Sequence, residues 1–387
     1  MKKLVCILLP LLLIGNVAFA ADNQSAAYLR SLSREAVTDS VDATYFNPAG
    51  TAFLDKGLHL QVMNQSIFST YSHTSATTNE YEADTPVWLF PTARMVYNSG
   101  SWAGFFDFSI PAGGGRLVYE DGAYLLDTGG LAGSFTGSSS VFAFSLGGSY
   151  RIGDMISIGA SGRFLYGNDG KELTIDTVGP TQGSAEAKAT GIGFGGMFGV
   201  DIIPFDGFTF AVTVETVSKL EMEYTEVTGD AGTVLALGGF GISEGGTYDA
   251  DLPWRIRTGI SYEMPFGLTV RSSFKYDFYE ALDDSLRNSW TVSTALAYDI
   301  TNRLEISVGG SYDIDEVPDV DNYDGLNPEL SSFTVAGGVG VEVSEGLLVD
   351  VGVLNVFYQE DTAAATSGFT DIDKKVLIAG IGVTYSF

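Results

Sequence analysis

The stretch Gly267-Leu268-Thr269-Val270-Arg271-Ser272-Ser273-Phe274-Lys275-Tyr276-Asp277-Phe278-Tyr279 sorts its side chains by parity. Leu268, Val270, Phe274, Tyr276 and Phe278 fall on one side, and Thr269, Arg271, Ser273, Lys275 and Asp277 on the other. A strand with that period of two presents one face suited to lipid and one suited to water. The same division recurs in Leu252, Trp254, Ile256, Ile260 and Tyr262 against Arg255, Arg257, Ser261 and Glu263. It returns in Leu304, Ile306, Val308 and Tyr312 against Glu305, Ser307, Ser311 and Asp313. A soluble sandwich also alternates, so loop lengths decide between the two.

Working outward, alternation predicts fourteen strands, at 58–72, 85–98, 101–111, 139–152, 155–168, 186–203, 207–225, 247–264, 267–281, 286–300, 303–315, 330–343, 346–359 and 372–387. The connections switch strictly between tight turns, such as Asn98-Ser99-Gly100, Ile152-Gly153-Asp154 and Ser344-Glu345-Gly346, and longer polar segments. Short turns on one side and long loops on the other are the pattern of an outer-membrane barrel. The expected fold is therefore all-β and transmembrane: a 14-stranded antiparallel barrel over residues 58–387, closed so that no edge faces lipid. The last strand places Leu377, Ala379, Ile381, Val383, Tyr385 and Phe387 on one face. Its aromatic terminus resembles the signal by which such barrels engage the barrel assembly machinery.

Composition agrees. Charged residues make up 18% of 387, below the roughly 25% of soluble domains, and 48 glycines with 25 Phe and 19 Tyr suit packed strands. A formal net charge of −28 repels phosphate backbones and excludes nucleic acid as a partner. At the N-terminus Lys2 and Lys3 precede an apolar run from Leu4 to Ile14 and the small-x-small site Ala18-Phe19-Ala20. Residues 1–20 read as a signal peptide. Cleavage after Ala20 removes Lys2, Lys3 and Cys6, takes the charge from −28 to −30, and leaves a mature chain without cysteine.

Residues 21–57 do not alternate. Ser25 to Ser40 reads as one or two helical turns, followed by Val41-Asp42-Ala43-Thr44-Tyr45-Phe46-Asn47-Pro48-Ala49-Gly50. A fourteen-stranded barrel has an aqueous lumen unless something fills it, and a short helical hatch, or plug, of this length fits inside. Asn47-Pro48 is a turn signal, because proline fixes its own φ and keeps the preceding residue out of the helical region.

The segments Ser33-Arg34-Glu35-Ala36, Asp42-Ala43 and Asn47-Pro48-Ala49-Gly50 resemble the hatch of the FadL/TodX family of outer-membrane hydrophobic-compound transporters. The similarity continues through Leu252-Pro253, Asn288-Ser289-Trp290, Tyr312 with Val317-Pro318-Asp319, and Val383-Thr384-Tyr385-Ser386-Phe387. Asn327-Pro328-Glu329 departs from the family pattern. The resemblance implies a monomeric channel in the bacterial outer membrane, among lipid and lipopolysaccharide, for passive uptake of long-chain fatty acids or related hydrophobic molecules, without a cofactor. It implies gating at Asn47, Pro48 and Ala49, which would lie against a strand interruption. It also implies a kink in the third strand that opens the wall for lateral release.

The residues themselves place such a kink at Pro111-Ala112-Gly113-Gly114-Gly115, where a ladder donor and several side chains are missing. The alternative is that Pro111, Gly113, Gly114 and Gly115 simply begin the outer loop. Tyr124, Leu125, Leu126 and Leu131 are apolar for a loop and could cap the mouth. A carboxylate head group would need a lumen cation, and parity points Arg94, Arg163, Arg255, Arg257, Arg271 and Lys275 inward, with Arg163 the leading candidate. Their other expected role is to pair with Asp107, Glu215, Asp277 or Glu305.

Two histidines, His59 and His73, and no mature cysteine leave no zinc pattern and no nucleophile–base pair, so an enzyme is not expected. The acidic run holding Asp319, Asp321, Asp324 and Glu329 misses the calcium-loop spacing and reads as a solvated outer loop. The competing functions are a porin for polar solutes and a structural or adhesive surface barrel.

Overall fold

A computed structural model describes residues 24–75, 80–84, 86–120, 122, 126, 132–180, 182–239, 241–283, 286–315, 330–359 and 369–387. The predicted signal peptide and Tyr124, Leu125 and Leu131 lie outside the described residues, as does the acidic run at 316–329.

All fourteen predicted strands are present. They are β1 (Gly57–Ser75), β2 (Glu80–Asp84 and Val87–Asn98), β3 (Trp102–Tyr119), β4 (Gly133–Ile152), β5 (Ile156–Ile175), β6 (Gly183–Phe205) and β7 (Phe208–Glu215 and Lys219–Gly229). The second half comprises β8 (Thr247–Asp249 and Trp254–Glu263), β9 (Leu268–Phe278), β10 (Ser289–Thr301), β11 (Leu304–Asp315), β12 (Ser332–Ser344), β13 (Leu347–Tyr358) and β14 (Phe369–Ser386). Each pairs antiparallel with its neighbour, and β1 closes on β14 from His59–Ser386 to Thr74–Asp371. Among the described residues no helix is long and apolar enough to cross a membrane. The spanning units are strands whose backbone groups find partners across the ladder, as lipid requires.

The parity read from sequence is the parity observed. Leu296, Val308, Val351, Phe194 and Ile381 are exposed on the outer wall, while Arg255, Arg257, Arg271, Ser273 and Asp277 are buried on the inner one. Two cores fill the lumen. The lower, towards the short turns, is made by the hatch: α1 (Ala26–Leu29), α2 (Ala43–Phe46) and a 3-10 turn over Pro48–Phe53. Tyr28, Leu29, Tyr45 and Phe46 pack there against Met63, Ile67 and Leu354 of the wall. Only the first helical turn expected in 25–40 forms. The second helix falls in the Val41–Gly50 stretch instead, after Asp42.

The upper core has no counterpart in the sequence reading. α3 (Ala231–Gly239), between β7 and β8, folds inward and buries Leu237, with Ile242 just beyond it. They join Tyr71, Tyr119, Phe135, Leu165, Leu173 and Met222 in the outer half of the barrel. Leu126, from the segment read as apolar for a loop, is buried in the same cluster.

Leu296 pairs with Val270 and Val308 in the middle of the lipid-facing band. Replacing it with Arg is expected to cost about 2–4 kcal/mol of barrel stability, measured by urea-dependent folding into lipid vesicles.

Candidate functional site

The hatch is held from inside by one buried ion pair. Arg34 donates to Asp42 through Nε at 3.0 Å and Nη2 at 2.9 Å, and Ser25 Oγ donates to the same carboxylate at 2.6 Å. Burial alone would raise the Asp42 carboxyl, but the Arg34 guanidinium and the Ser25 hydroxyl hold it well below the ordinary carboxylate range. Outward ties then fasten the hatch to the wall. Arg30 reaches Asp350 at 3.0 Å and also pairs with Glu305, Ser33 meets Ser273, and Thr44 donates to Asp107 at 3.1 Å.

Asn47 has the extended backbone expected before proline, with φ −156° and ψ 105°. Its side-chain carbonyl caps the 3-10 turn by accepting from Ala49 N at 3.1 Å, while its amide donates to Asp201 of β6 at 2.6 Å. Ser157 of β5 donates to Ala49 O at 2.9 Å. Glycines let the two layers touch: a Cβ at Gly159 would lie 2.5 Å from the Pro48 carbonyl carbon, and one at Gly199 would lie 2.0 Å from Asn47 Oδ1. Asn47, Pro48 and Ala49 thus meet the wall where the β5–β6 register runs unbroken from Ile156 to Ile175. The expectation that they abut an interrupted strand is corrected here.

The interruption is elsewhere. β3 does not end at Pro111 but continues to Tyr119, so Pro111, Gly113, Gly114 and Gly115 lie within the wall and do not begin the loop. Its register against β4 shifts between Ser109 and Ala112 and again between Gly113 and Gly115, one extra residue in β3 each time. On its other side, among the described residues, the ladder with β2 ends at Ala93–Phe108.

Gln24 of the hatch takes up the freed backbone. Its side-chain amide donates to Ile110 O at 2.8 Å and its carbonyl accepts from Ile110 N at 3.1 Å, the pair of bonds a neighbouring strand would make. The Gln24 backbone carbonyl accepts from Thr92 at 3.1 Å and Arg94 at 2.8 Å, both on β2. Gln24 therefore bridges the gap. Nothing in the hatch sequence singles it out, because the segment has no period.

Of the six cations that parity points inward, four converge. Arg163 donates to Glu215 at 2.9 Å, Arg257 pairs with the other oxygen of Glu215, Arg255 pairs with Asp277, and Lys275 lies 3.7 Å from Asp277. The Arg257 guanidinium carbon lies 5.3 Å from the Tyr45 ring centre and that of Arg163 6.0 Å, so the cluster roofs the hatch. Arg271 stands apart on the β9 side nearer the turn, below Ser273. All four carboxylates expected as partners are used: Asp107 with Arg94, Glu215, Asp277, and Glu305 with Arg30.

No protein-family model matches the chain, and no curated protein matches its sequence. Its backbone does match solved structures. A Pseudomonas aeruginosa FadL homologue superposes with a TM-score of 0.73 at 16% identity, covering 94% of this chain and 98% of that one. The Pseudomonas putida toluene transporter TodX gives 0.69 at 13% identity over 90% and 94%. The CymD monoaromatic hydrocarbon channel gives 0.61 at 14% over 91% and 94%. The chain has the FadL and TodX fold. At such identities the match speaks for architecture: a hatch-bearing barrel of the outer-membrane type.

Asp42→Asn leaves the buried Arg34 guanidinium unpaired and is expected to cost the hatch about 3–5 kcal/mol. The outcome is a leaky barrel: higher conductance in planar bilayers with unchanged heat-modifiable gel mobility. Because Asp42 is depressed, its stabilisation is complete above about pH 4 and is lost only as pH falls through its lowered folded value. Conductance of the parent should therefore stay low on acidification to about pH 4, so far as this pair governs it.

Proposed function

We propose that this chain is a passive outer-membrane channel for hydrophobic small molecules, loaded from the outer end of the barrel and emptied sideways through the gap between β2 and β3. The observation that carries this reading is the interrupted ladder at Ser109–Gly115 with Gln24 in the place of a strand. An opening in a barrel wall exposes backbone donors and acceptors to lipid, so it is tolerated only where protein covers it. Here the cover is Gln24, the fourth residue of the proposed mature chain, whose side chain can release Ile110 while the rest of the hatch stays anchored. The core behind it is packed from apolar and aromatic residues, an interior that suits a greasy cargo better than a hydrated one.

Gating on this reading has two parts. Gln24 releases Ile110 to open the gap, and the Asn47–Asp201 contact sets how firmly the hatch seats on β5 and β6. The solved neighbours include a toluene transporter and a monoaromatic hydrocarbon channel. Long-chain fatty acids, the cargo implied by the sequence resemblance, remain a second class to test beside aromatics. A porin for polar solutes is disfavoured by the buried packing of Tyr28, Leu29, Tyr45 and Phe46 across the lumen.

The decisive variant deletes Pro111 and Gly114, removing both extra residues and restoring continuous β3–β4 pairing. In cells lacking their own transporter, the parent is expected to take up radiolabelled toluene or oleate. The double deletion should lose uptake while keeping its folded, heat-modifiable mobility. Deleting Asn47-Pro48-Ala49 should also impair it. Undiminished uptake by a folded Pro111/Gly114 deletion would rule out lateral release.

A further inference from the structure

The outer half of the barrel is a packed core. Beside Gly113 a cavity lined also by Ser140, Asp169, Met222 and Tyr248 has room for about one water molecule. A cargo loaded from that end therefore needs something to move aside. The wall is held by its ladders, since β5 pairs with β6 without a break from Ile156 to Ile175 and β6 carries β7 from Phe194–Lys219 to Ala185–Gly229.

α3 is held differently. Its 9 residues include Gly232, Gly238 and Gly239 and fall short of the roughly 12–15 at which a helix stands alone in water. At its end Gly241 N donates to Gly238 O and Ile242 N to Leu237 O, both at 3.1 Å, with Gly241 at φ 76°. This Schellman closure carries Leu237 and Ile242 into the outer core as one unit. Gly229 at φ 135° and Gly245 at φ 79° bracket the segment, and no charged side chain occurs from Ala231 to Ser243. An apolar body thus hangs between two glycine pivots.

The stem of this excursion is fastened to β5. Tyr224 N donates to Gly246 O at 2.9 Å and Gly245 N donates to Tyr224 O at 2.8 Å, which closes the stem. Tyr224 before α3 and Tyr248 after it then reach over the small Ala187 and Ala189 of β6 to one buried ion pair, Asp169 with Lys171. Tyr248 donates to Asp169 Oδ2 at 2.5 Å, and Lys171 donates to Tyr224 at 3.3 Å. The ammonium lies 5.3 Å from each tyrosine ring centre, so both rings also meet its charge.

Resting on the channel reading, we infer that α3 with Ile242 is an outer lid, that Tyr224 and Tyr248 latch its stem to Asp169 and Lys171, and that an apolar cargo opens it by exchange. Withdrawing Leu237 and Ile242 gives up their burial, and an apolar molecule that takes the vacated space restores it. A hydrated solute restores none. The lid therefore selects greasy molecules before the Gln24 contact is reached.

The test is pulsed electron paramagnetic resonance distance measurement in lipid nanodiscs, between nitroxides on Gly238→Cys of the lid and Gly162→Cys of β5. An added Cβ meets nothing within 4 Å at either position. The labelled parent is expected to give one distance, toluene to add a second, longer one, and sucrose to add none. Tyr248→Phe keeps the ring and the Asp169–Lys171 pair but loses the latch bond, so the longer population should rise at least threefold at the same toluene concentration. Ile242→Ser, which weakens the lid's own packing and leaves the latch intact, should raise it as well.

A distance unchanged by toluene overturns the inference. So does a Tyr248→Phe population equal to the parent's in protein with folded, heat-modifiable mobility. Toluene uptake by cells reports on the channel separately. Uptake without lid movement sinks the lid alone, lid movement without uptake sinks the channel reading, and absence of both sinks the two together.

Discussion

Every backbone donor and acceptor that faces lipid must be satisfied within the protein, and the structure follows from where that rule is kept and where it is broken. It is kept around almost the whole wall, by fourteen strands closed through β1 and β14. It is broken at one level of β3, where two extra residues, one of them at Pro111, accompany a stretch of backbone without its β2 neighbour. Side-chain amides make up the difference on both flanks. Gln24 serves Ile110, and on the β1–β2 side Asn64 donates to Trp88 O and accepts from Phe90 N, beside the register shift at Gln65–Ile67. An amide side chain carries the same donor and acceptor as a peptide, so it can stand in for one.

Filling the lumen poses the opposite problem, since a polar inner face must be brought against protein. Charge is handled there by compact groups of paired side chains. Glu215 gathers Arg163 and Arg257, Asp277 gathers Arg255, and Arg30 of the hatch reaches across to Asp350 and Glu305. Tyr45 and Phe46 slide beneath the arginine planes, so the same guanidinium groups serve the wall carboxylates and the hatch aromatics. The glycines at 159 and 199 have a parallel role, because backbone-to-wall contact at Pro48 and Asn47 leaves no room for a methyl group.

The barrel was legible because alternation is a local signal repeated fourteen times, and parity alone placed Arg163, Arg255, Arg257 and Arg271 on the inner wall with Glu215 and Asp277 beside them. What alternation cannot see is a change of phase. The first bulge moves the inward series of β3 from the odd positions Ala103, Phe105, Asp107 and Ser109 to the even position Ala112, and the second returns it to odd at Leu117 and Tyr119. The strand consequently read as ending at Pro111. Lys171 was missed for a related reason: β5 read as stopping at Asn168, although it continues inward-outward to Ile175. Gln24 and Arg30 belong to a segment with no period, and their partners lie at Ile110 and Asp350, far away in sequence.

The magnitudes of these contacts separate the weakly held part of the hatch from the firmly held one. Gln24 closes the wall with ordinary hydrogen bonds worth about 1 kcal/mol each, somewhat more for the one from Arg94. Removing the partner of a buried ion pair such as Arg34–Asp42 costs about 3–5 kcal/mol, and the hatch adds the burial of Tyr28, Leu29, Tyr45 and Phe46 to it. A ligand that gains about 0.8 kcal/mol per buried methylene needs only a few methylenes to offset the loss of the Gln24 bonds, but many more to displace the hatch. On the proposed channel reading, Gln24 is therefore the contact that yields while the body of the hatch remains seated, and the wall opens to lipid without the lumen opening to water.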